Sequence, residues 1–247
     1  MVLSKEKWQG ALYSFIVVLL IWWAVAWLLK LPIVPSPYVV FINIIAIFKS
    51  KIEIHVLYSL GRILAGIVVS ILVGVPLGFL MGYFNRIDKI LSPLVYFTYP
   101  VPKLALLPIV MLLFGLGEVS KLIMIVLIII FQIIITSRDA VKSIPEETFR
   151  SLQSLGASRL QTFAEIIVPA SLPEVLTATR LALGTAVSIL FFTETFGTEY
   201  GMGYFIMDSW MRVNYLDMYA GIVVLSFMGF CIFTAIDIIE NHVCSWR

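Results

Sequence analysis

The run VSKLIMIVLIIIFQIIIT, residues 119–136, constrains this chain more than any other feature of its sequence. It carries one charge, Lys121, and no polar face. An amphipathic helix of a soluble protein would show polar residues along one face at every turn. A helix needs about 20 apolar residues to cross a bilayer, and this run is close to that length. Five other segments have the same character: 11–29, 58–83, 104–116, 175–192 and 218–239. The segment 104–116 is long enough only if it borrows the proline-rich stretch before it. In lipid every backbone polar group must find its partner inside the segment, so such segments are helices. The sequence predicts an all-α integral membrane protein with about six transmembrane helices. It reads as one domain over 1–247, with a core at 55–240, an N-terminal span at 11–29 and a cytoplasmic insert at 143–170. Hydrophobic residues make up 61% of the chain and charged residues 13%, against about 25% charged in soluble domains.

The first span resembles a secretory leader, with Lys5 and Lys7 before it and AVA at 24–26. The apolar run continues through Trp27, Leu28 and Leu29, so it is read as an uncleaved span. Of the 17 Lys and Arg residues, nine fall on the side of the N-terminus and five on the other side. Arg62, Lys103 and Arg180 stand at span ends. This excess places both termini in the cytoplasm. The outer side then holds two longer pieces. One is 31–53, where LPIVPSP is followed by an apolar stretch expected to form an interfacial helix. The other is 194–217, whose Tyr200, Tyr204, Trp210 and Tyr215 suit the membrane interface.

Several function classes are disfavoured. A net charge of +2 with no basic cluster gives no nucleic-acid footprint. Cys231 and Cys244 lack metal or redox spacing, and His55 and His242 fall on opposite sides of the membrane, so no catalytic or metal constellation is expected. The chain lacks GxxxxGK[ST], so ATP and Mg²⁺ would have to be bound by a separate partner. A secondary transporter or channel is the alternative. It would need ionisable residues within the membrane, and Arg62, Lys103, Arg180 and Glu194 all lie near span ends.

Small residues recur every four positions in the second span: Gly66, Ser70, Gly74, Gly78 and Gly82. Ala178, Ala182 and Ala186 do the same in the fifth. Such stripes are expected to be helix-packing faces, and they allow contact with a second copy. Pro93, Pro100, Pro102 and Pro108 cluster at the third span. A broken helix at membrane depth is tolerated where it is buried in protein or lines a cavity. Pro100, Pro102, Lys103, Thr185, Ser188 and Glu194 are therefore the candidate pathway residues.

The stretch 143–173 is the most patterned polar piece. Pro145, Glu146 and Glu147 suit a first helical turn. Phe149, Leu152 and Leu155 form an apolar face, and Gly156 ends the helix. Ser158 with Gln161 makes a capping box for a second helix. Leu160, Phe163 and Ile167 are its expected apolar face, and Pro169 its expected stop. The sequence SLGASRLQTFAEIIVP, 154–169, resembles the EAA loop of permease subunits of binding-protein-dependent ABC importers. LPEVLTATRLALGTAVSILFFTETFGTEYGMGYFI, PKLALLPIVMLLFGLGEVSK, SPYVV and GVPLGFLMG are similar to the branch that handles nitrate, sulfonates and taurine. The resemblance implies a permease that dimerises, as a homodimer or with a sibling, docks two cytoplasmic ATPase subunits, and receives a small solute from an extracytoplasmic binding protein. Small anions such as nitrate, sulfonates and taurine fit the branch, and so do heterocyclic vitamin precursors. It also implies that Arg150, Leu152, Leu155, Gly156, Ala157, Ser158, Arg159, Leu160, Phe163 and Pro169 form the ATPase-coupling surface. One departure stands out. Where the family begins Glu-Ala-Ala, six residues before the glycine, this chain has Arg150, Ser151 and Leu152. Either the ATPase carries a compensating acid, or this position makes no strong pair.

Overall fold

A computed structural model describes residues 5–244. Among them five helices are long and apolar enough to cross a membrane, or six if one bent pair is counted as a span. The chain divides into two compact units, residues 5–61 with 190–241, and residues 62–189 with 242–244.

In the first unit, α1 (Lys5–Leu29) ends at Lys30, whose φ of 49° turns the chain. The Trp22 indole N–H donates to the Pro35 carbonyl at 3.1 Å, and its ring stacks on Tyr219. Ser36 and Pro37 then start α2 (Pro37–Ile47), with proline in the first turn, where no N–H is required. The sequence suggested a separate interfacial helix over 31–53. The structure instead runs helically from Pro37 to Tyr83 without a break. A π-helical turn, Phe48–Ile52, joins α2 to α3 (Glu53–Tyr83). One extra residue in a turn shifts the hydrogen-bond register while keeping backbone groups paired, so no stop is needed. This continuous helix is tied to α11 (Tyr215–Val243): Asp217 accepts from Asn43 at 2.8 Å and from Lys51 at 3.1 Å. The stretch 194–217 is not only an aromatic loop. It contains α10 (Met202–Met211).

In the second unit, the remainder of α3 packs on α6 (Glu118–Lys142). The small residues of α3 face that helix. A Cβ added at Gly74 would meet Ile133 at 3.0 Å, and one at Gly78 would lie 2.6 Å from the Ile134 carbonyl oxygen. At Gly82 the Arg138 carbonyl would be 2.8 Å away, and at Gly66 the obstacle is the Ile125 side chain. Ser70 is fully buried in the same stripe. The two backbones approach as closely as they do because these positions carry almost no side chain.

The third span is broken. α4 (Asn85–Thr98) and a 3₁₀ turn, Lys103–Leu106, leading into α5 (Leu107–Phe114), meet at 81°. Pro100 and Pro102 sit at the break, and Lys103 donates to the carbonyl of Thr98 at 2.9 Å and to that of Tyr99. The Thr98 carbonyl, which Pro102 four residues later cannot serve, and the neighbouring Tyr99 carbonyl are thus capped by a lysine. Lys121 on α6, 1% exposed, does the same for the end of α5, donating to Leu116 and Gly117.

The chain continues through α7 (Glu146–Ser154) and α8 (Arg159–Thr162), then a π-helical turn, Phe163–Ile167, into α9 (Val168–Glu194). The expected stop at Pro169 does not occur. Helix runs from Arg159 to Glu194. The Val168 N–H reaches back five residues to the Phe163 carbonyl. This widened turn opens the ladder where Pro169 has no N–H to give. Ala178, Ala182 and Ala186 of α9 are all buried.

Candidate functional site

Two polar regions stand out, one in each unit. The first is the helix-turn-helix between α6 and α9. α7 ends in a Schellman arrangement: Gly156 N–H donates to the Gln153 carbonyl at 2.9 Å, and Ala157 N–H to that of Leu152 at 3.4 Å. Gly156 has φ of +80°, where a non-glycine residue costs roughly 1 kcal/mol or more. Two residues later the capping box closes. Ser158 N–H donates to Gln161 Oε1 at 2.7 Å, and Gln161 N–H to Ser158 Oγ at 3.3 Å. A C-cap and an N-cap two residues apart fix the angle between α7 and α8 by hydrogen bonds alone.

The root of this element is aromatic. Phe149 and Phe163 pack on Tyr83, with ring centroids 5.9 and 5.2 Å away, over a core of Phe79, Val141, Ile167 and Val175. Its tip is different. Leu155 and Leu160, assigned by periodicity to the same apolar faces as Phe149 and Phe163 and by resemblance to the coupling surface, are 82% and 81% exposed. Leu152 is half-buried and Ala157 partly so. The reason is register. The Gly156 turn swings the residue just after α7 and the second residue of α8 outward, while Phe149 and Phe163 pack toward Tyr83. Arg150 pairs with Glu146 one turn earlier at 2.9 Å, both exposed. Arg159 lies over the Phe84 ring at 6.0 Å. A charged cluster braces the base: Asp88 of α4 accepts from Arg138 and Lys142 of α6 and, at 3.0 Å, from Ser92. Sequence reasoning missed this cluster. Its signal was Arg138 and Lys142 at i and i+4 on one helix face, with a lone acid in the preceding helix.

The second region is built on Glu194. It was expected to line a pathway at the outer mouth, but the structure buries it completely. Ser59 Oγ lies 2.8 Å from both carboxyl oxygens and also accepts the Met202 N–H at 2.8 Å. Gly203 N–H donates to Glu194 at 2.9 Å, and a Cβ at Gly201 would lie within 2.6 Å of the carboxyl oxygens. The Gly201 N–H donates to His55 Nδ1 at 3.0 Å. Tyr200, Tyr204 and Phe205 surround the His55 ring. The carboxyl therefore sits at the N-terminus of α10, where backbone N–H groups are otherwise unpaired. Two glycines in GMG and the Glu nine residues before Gly203 were the available signal.

The other pathway candidates are dispersed. Pro100, Pro102 and Lys103 form the break in the third span. Thr185 and Ser188 lie on an uncovered face of α9. Among the described residues no group of three His, Cys, Asp or Glu residues could hold a metal ion.

A family model described as "Binding-protein-dependent transport system inner membrane component" matches residues 74–244, which includes the helix-turn-helix and α9. The chain belongs to this family. It is an ABC importer permease subunit of a multi-pass inner-membrane class, and the family implies an ATPase and a substrate-binding protein as partners. The permease is 32% identical to the taurine transport system permease protein TauC of Escherichia coli K12, over 94% of this chain and 87% of the relative. It is 31% identical to the formylaminopyrimidine transport permease protein ThiX of Halalkalibacterium halodurans, over 94% of both. It is 28% identical to a putative aliphatic sulfonates transport permease protein, SsuC, of Bacillus subtilis, over 99% and 90%. A structure of the MetNI methionine ABC transporter in an inward-facing conformation matches the fold, with a TM-score of 0.68 at 20% identity, over 76% of this chain and 94% of that one.

Proposed function

We propose that this permease works as a homodimer with two cytoplasmic ATPase subunits and carries a small sulfonate or aminosulfonate inward, with both termini in the cytoplasm. The observation that carries the coupling part is the tip of the helix-turn-helix. Leu155 and Leu160 stand exposed on either side of a turn whose shape is fixed by the Gly156 and Ser158 caps. Two uncovered leucines on a rigid, polar-rimmed element suit a pocket on a soluble partner. Arg150, Leu152, Ala157, Ser158 and Arg159 form the rim, and Phe163 and Pro169 connect the tip to α9. ATPase closure would move this element as a rigid body, and α9 would carry the movement into the membrane because the helix is unbroken from Arg159 to Glu194. Arg150 needs no acid from the partner, since Glu146 of its own helix pairs with it.

The uncovered face of α9 with Thr185 and Ser188 is the pathway wall in this reading. The broken third span at Pro100, Pro102 and Lys103 forms another part of that wall. The buried Glu194 acts at one remove, by holding the outer loop to which the binding protein docks. The solute class is supported by the names of two relatives, the taurine permease at 32% identity and the putative sulfonate permease at 28%, whereas the relative at 31% is named for a formylaminopyrimidine. The test is co-purification of the partner ATPase with tagged permease. Leu155→Asp and Leu160→Asp should each lose the ATPase while the permease stays at normal levels in the membrane. Retention of the ATPase by both variants would refute the docking assignment.

A further inference from the structure

Between α6 and α9 lies an open hollow of about 210 Å³ lined by Gln132, Thr136, Glu174, Thr177, Ala178 and Leu181, with Glu174 and Leu181 exposed at its rim. Four of these six side chains are polar, and one is a carboxylate. No Lys or Arg lines it. Glu174 stands in the second turn of α9, directly after Pro173. An acid on a membrane-spanning helix would be costly if it faced lipid, and it is tolerated where it meets water or a polar partner. Thr177, Leu181, Gly184, Thr185 and Ser188 follow one another at helical spacing along the same side of α9. Gly184, Thr185 and Ser188 are uncovered, and a Cβ on Gly184 would meet nothing within 4 Å. The cavity is therefore the inner end of a stripe of small and hydroxyl-bearing residues.

We propose that this cavity is a solute subsite and that it receives the ammonium or amino end of a small molecule. This rests on the reading of the α9 face as pathway wall. A simple anion would meet the Glu174 carboxylate there with no lining cation to offset it. An ammonium group would find a carboxylate, an amide oxygen and two hydroxyls, all able to accept hydrogen bonds. The volume corresponds to about seven waters. That is room for a compact zwitterion, whose sulfonate end would lie away from Glu174. The subsite thus distinguishes an aminosulfonate from an unsubstituted sulfonate, a choice that the named relatives leave open.

The test reads the local charge of the cavity directly. Thr177→Cys is introduced with Cys231→Ser and Cys244→Ser in the complex reconstituted with its ATPase. Reaction rates are measured for a cationic and an anionic methanethiosulfonate of similar size, each scaled to its rate with a free thiol. The cationic reagent is expected to react about tenfold faster, and Glu174→Gln should bring the two rates within about twofold. Ser188→Cys, farther along the stripe, should show a smaller preference. Equal rates at Thr177→Cys, a preference that survives Glu174→Gln, or no reaction with either reagent would each overturn the proposal. A preserved charge preference without taurine uptake supports the subsite and removes only the aminosulfonate from the proposed function.

Discussion

Gly78 and Gly156 both stand where the chain admits little but glycine, and they are glycine for opposite reasons. Gly78 has an ordinary helical backbone, and its neighbours forbid a side chain: the Ile134 carbonyl and Ser137 crowd its Cβ position. Gly156 has nothing within 4 Å of its Cβ position, and its own φ of +80° disfavours a side chain. The first glycine is required by another helix, the second by the chain's own turn. The α3–α6 seam is thus a packing device, and the α7–α8 turn is a shape held out from the protein. Substitutions that separate space from backbone conformation distinguish the two.

The largest effect is expected at the seam. Gly78→Leu has no room to relax, because one obstacle is backbone, which puts it at the upper end of the about 1–3 kcal/mol that overpacking typically costs. The purified protein should melt well below the parent, with little recovered in detergent. Gly78→Asn should be nearly as harmful, whereas Gly156→Asn should melt within about 2 °C of the parent, since asparagine tolerates a left-handed backbone. Equal damage from asparagine at both sites would erase the distinction.

Glu194→Ala comes next. It would leave buried Ser59 and the Gly203 N–H without their acceptor, at about 1–3 kcal/mol. Its readout is local. A Thr198→Cys thiol in the loop should react several-fold faster with a membrane-impermeant reagent when Glu194 is Ala than when it is Glu. An unchanged rate would show that the carboxyl does not hold that loop.

The smallest effect is expected for Arg150→Glu. The ion pair with Glu146 is exposed, and pairs of this kind are worth about 0.3–0.5 kcal/mol. Melting should change by about 1 °C or less, and transport should stay within about twofold. A large loss of transport would mean that Arg150 contacts an acid of the ATPase after all.

The sequence was most legible where local chemistry decides the structure. The apolar runs determined the helices, the four-residue spacing of Gly66 to Gly82 pointed to a close helix contact, and Ser158 with Gln161 specified a cap that the structure contains. It was least legible where a helix could absorb an irregularity. Pro169 and the 31–53 stretch looked like interruptions, but π-helical turns at Phe163–Ile167 and Phe48–Ile52 carry the helices through. Such turns depend on what the widened backbone packs against, which no local pattern shows. The same holds for Leu155 and Leu160. Periodicity placed them with Phe149 and Phe163, and only the angle set at Gly156 turns them away. Glu194 looked like a mouth residue because it follows an apolar run. Its partners, Ser59 and Gly203, come from a distant helix and from beyond a loop.

The central claim is that the turn at Gly156 transmits ATPase movement while contributing nothing to membrane insertion. The measurement that tests it most directly is solute uptake and solute-stimulated ATP hydrolysis by the reconstituted complex carrying Gly156→Leu, beside Gly156→Asn. The leucine variant should reach the membrane at near-normal levels yet lose both activities, and the asparagine variant should keep most of each. Full uptake by the leucine variant, or equal loss in both variants, would contradict the claim.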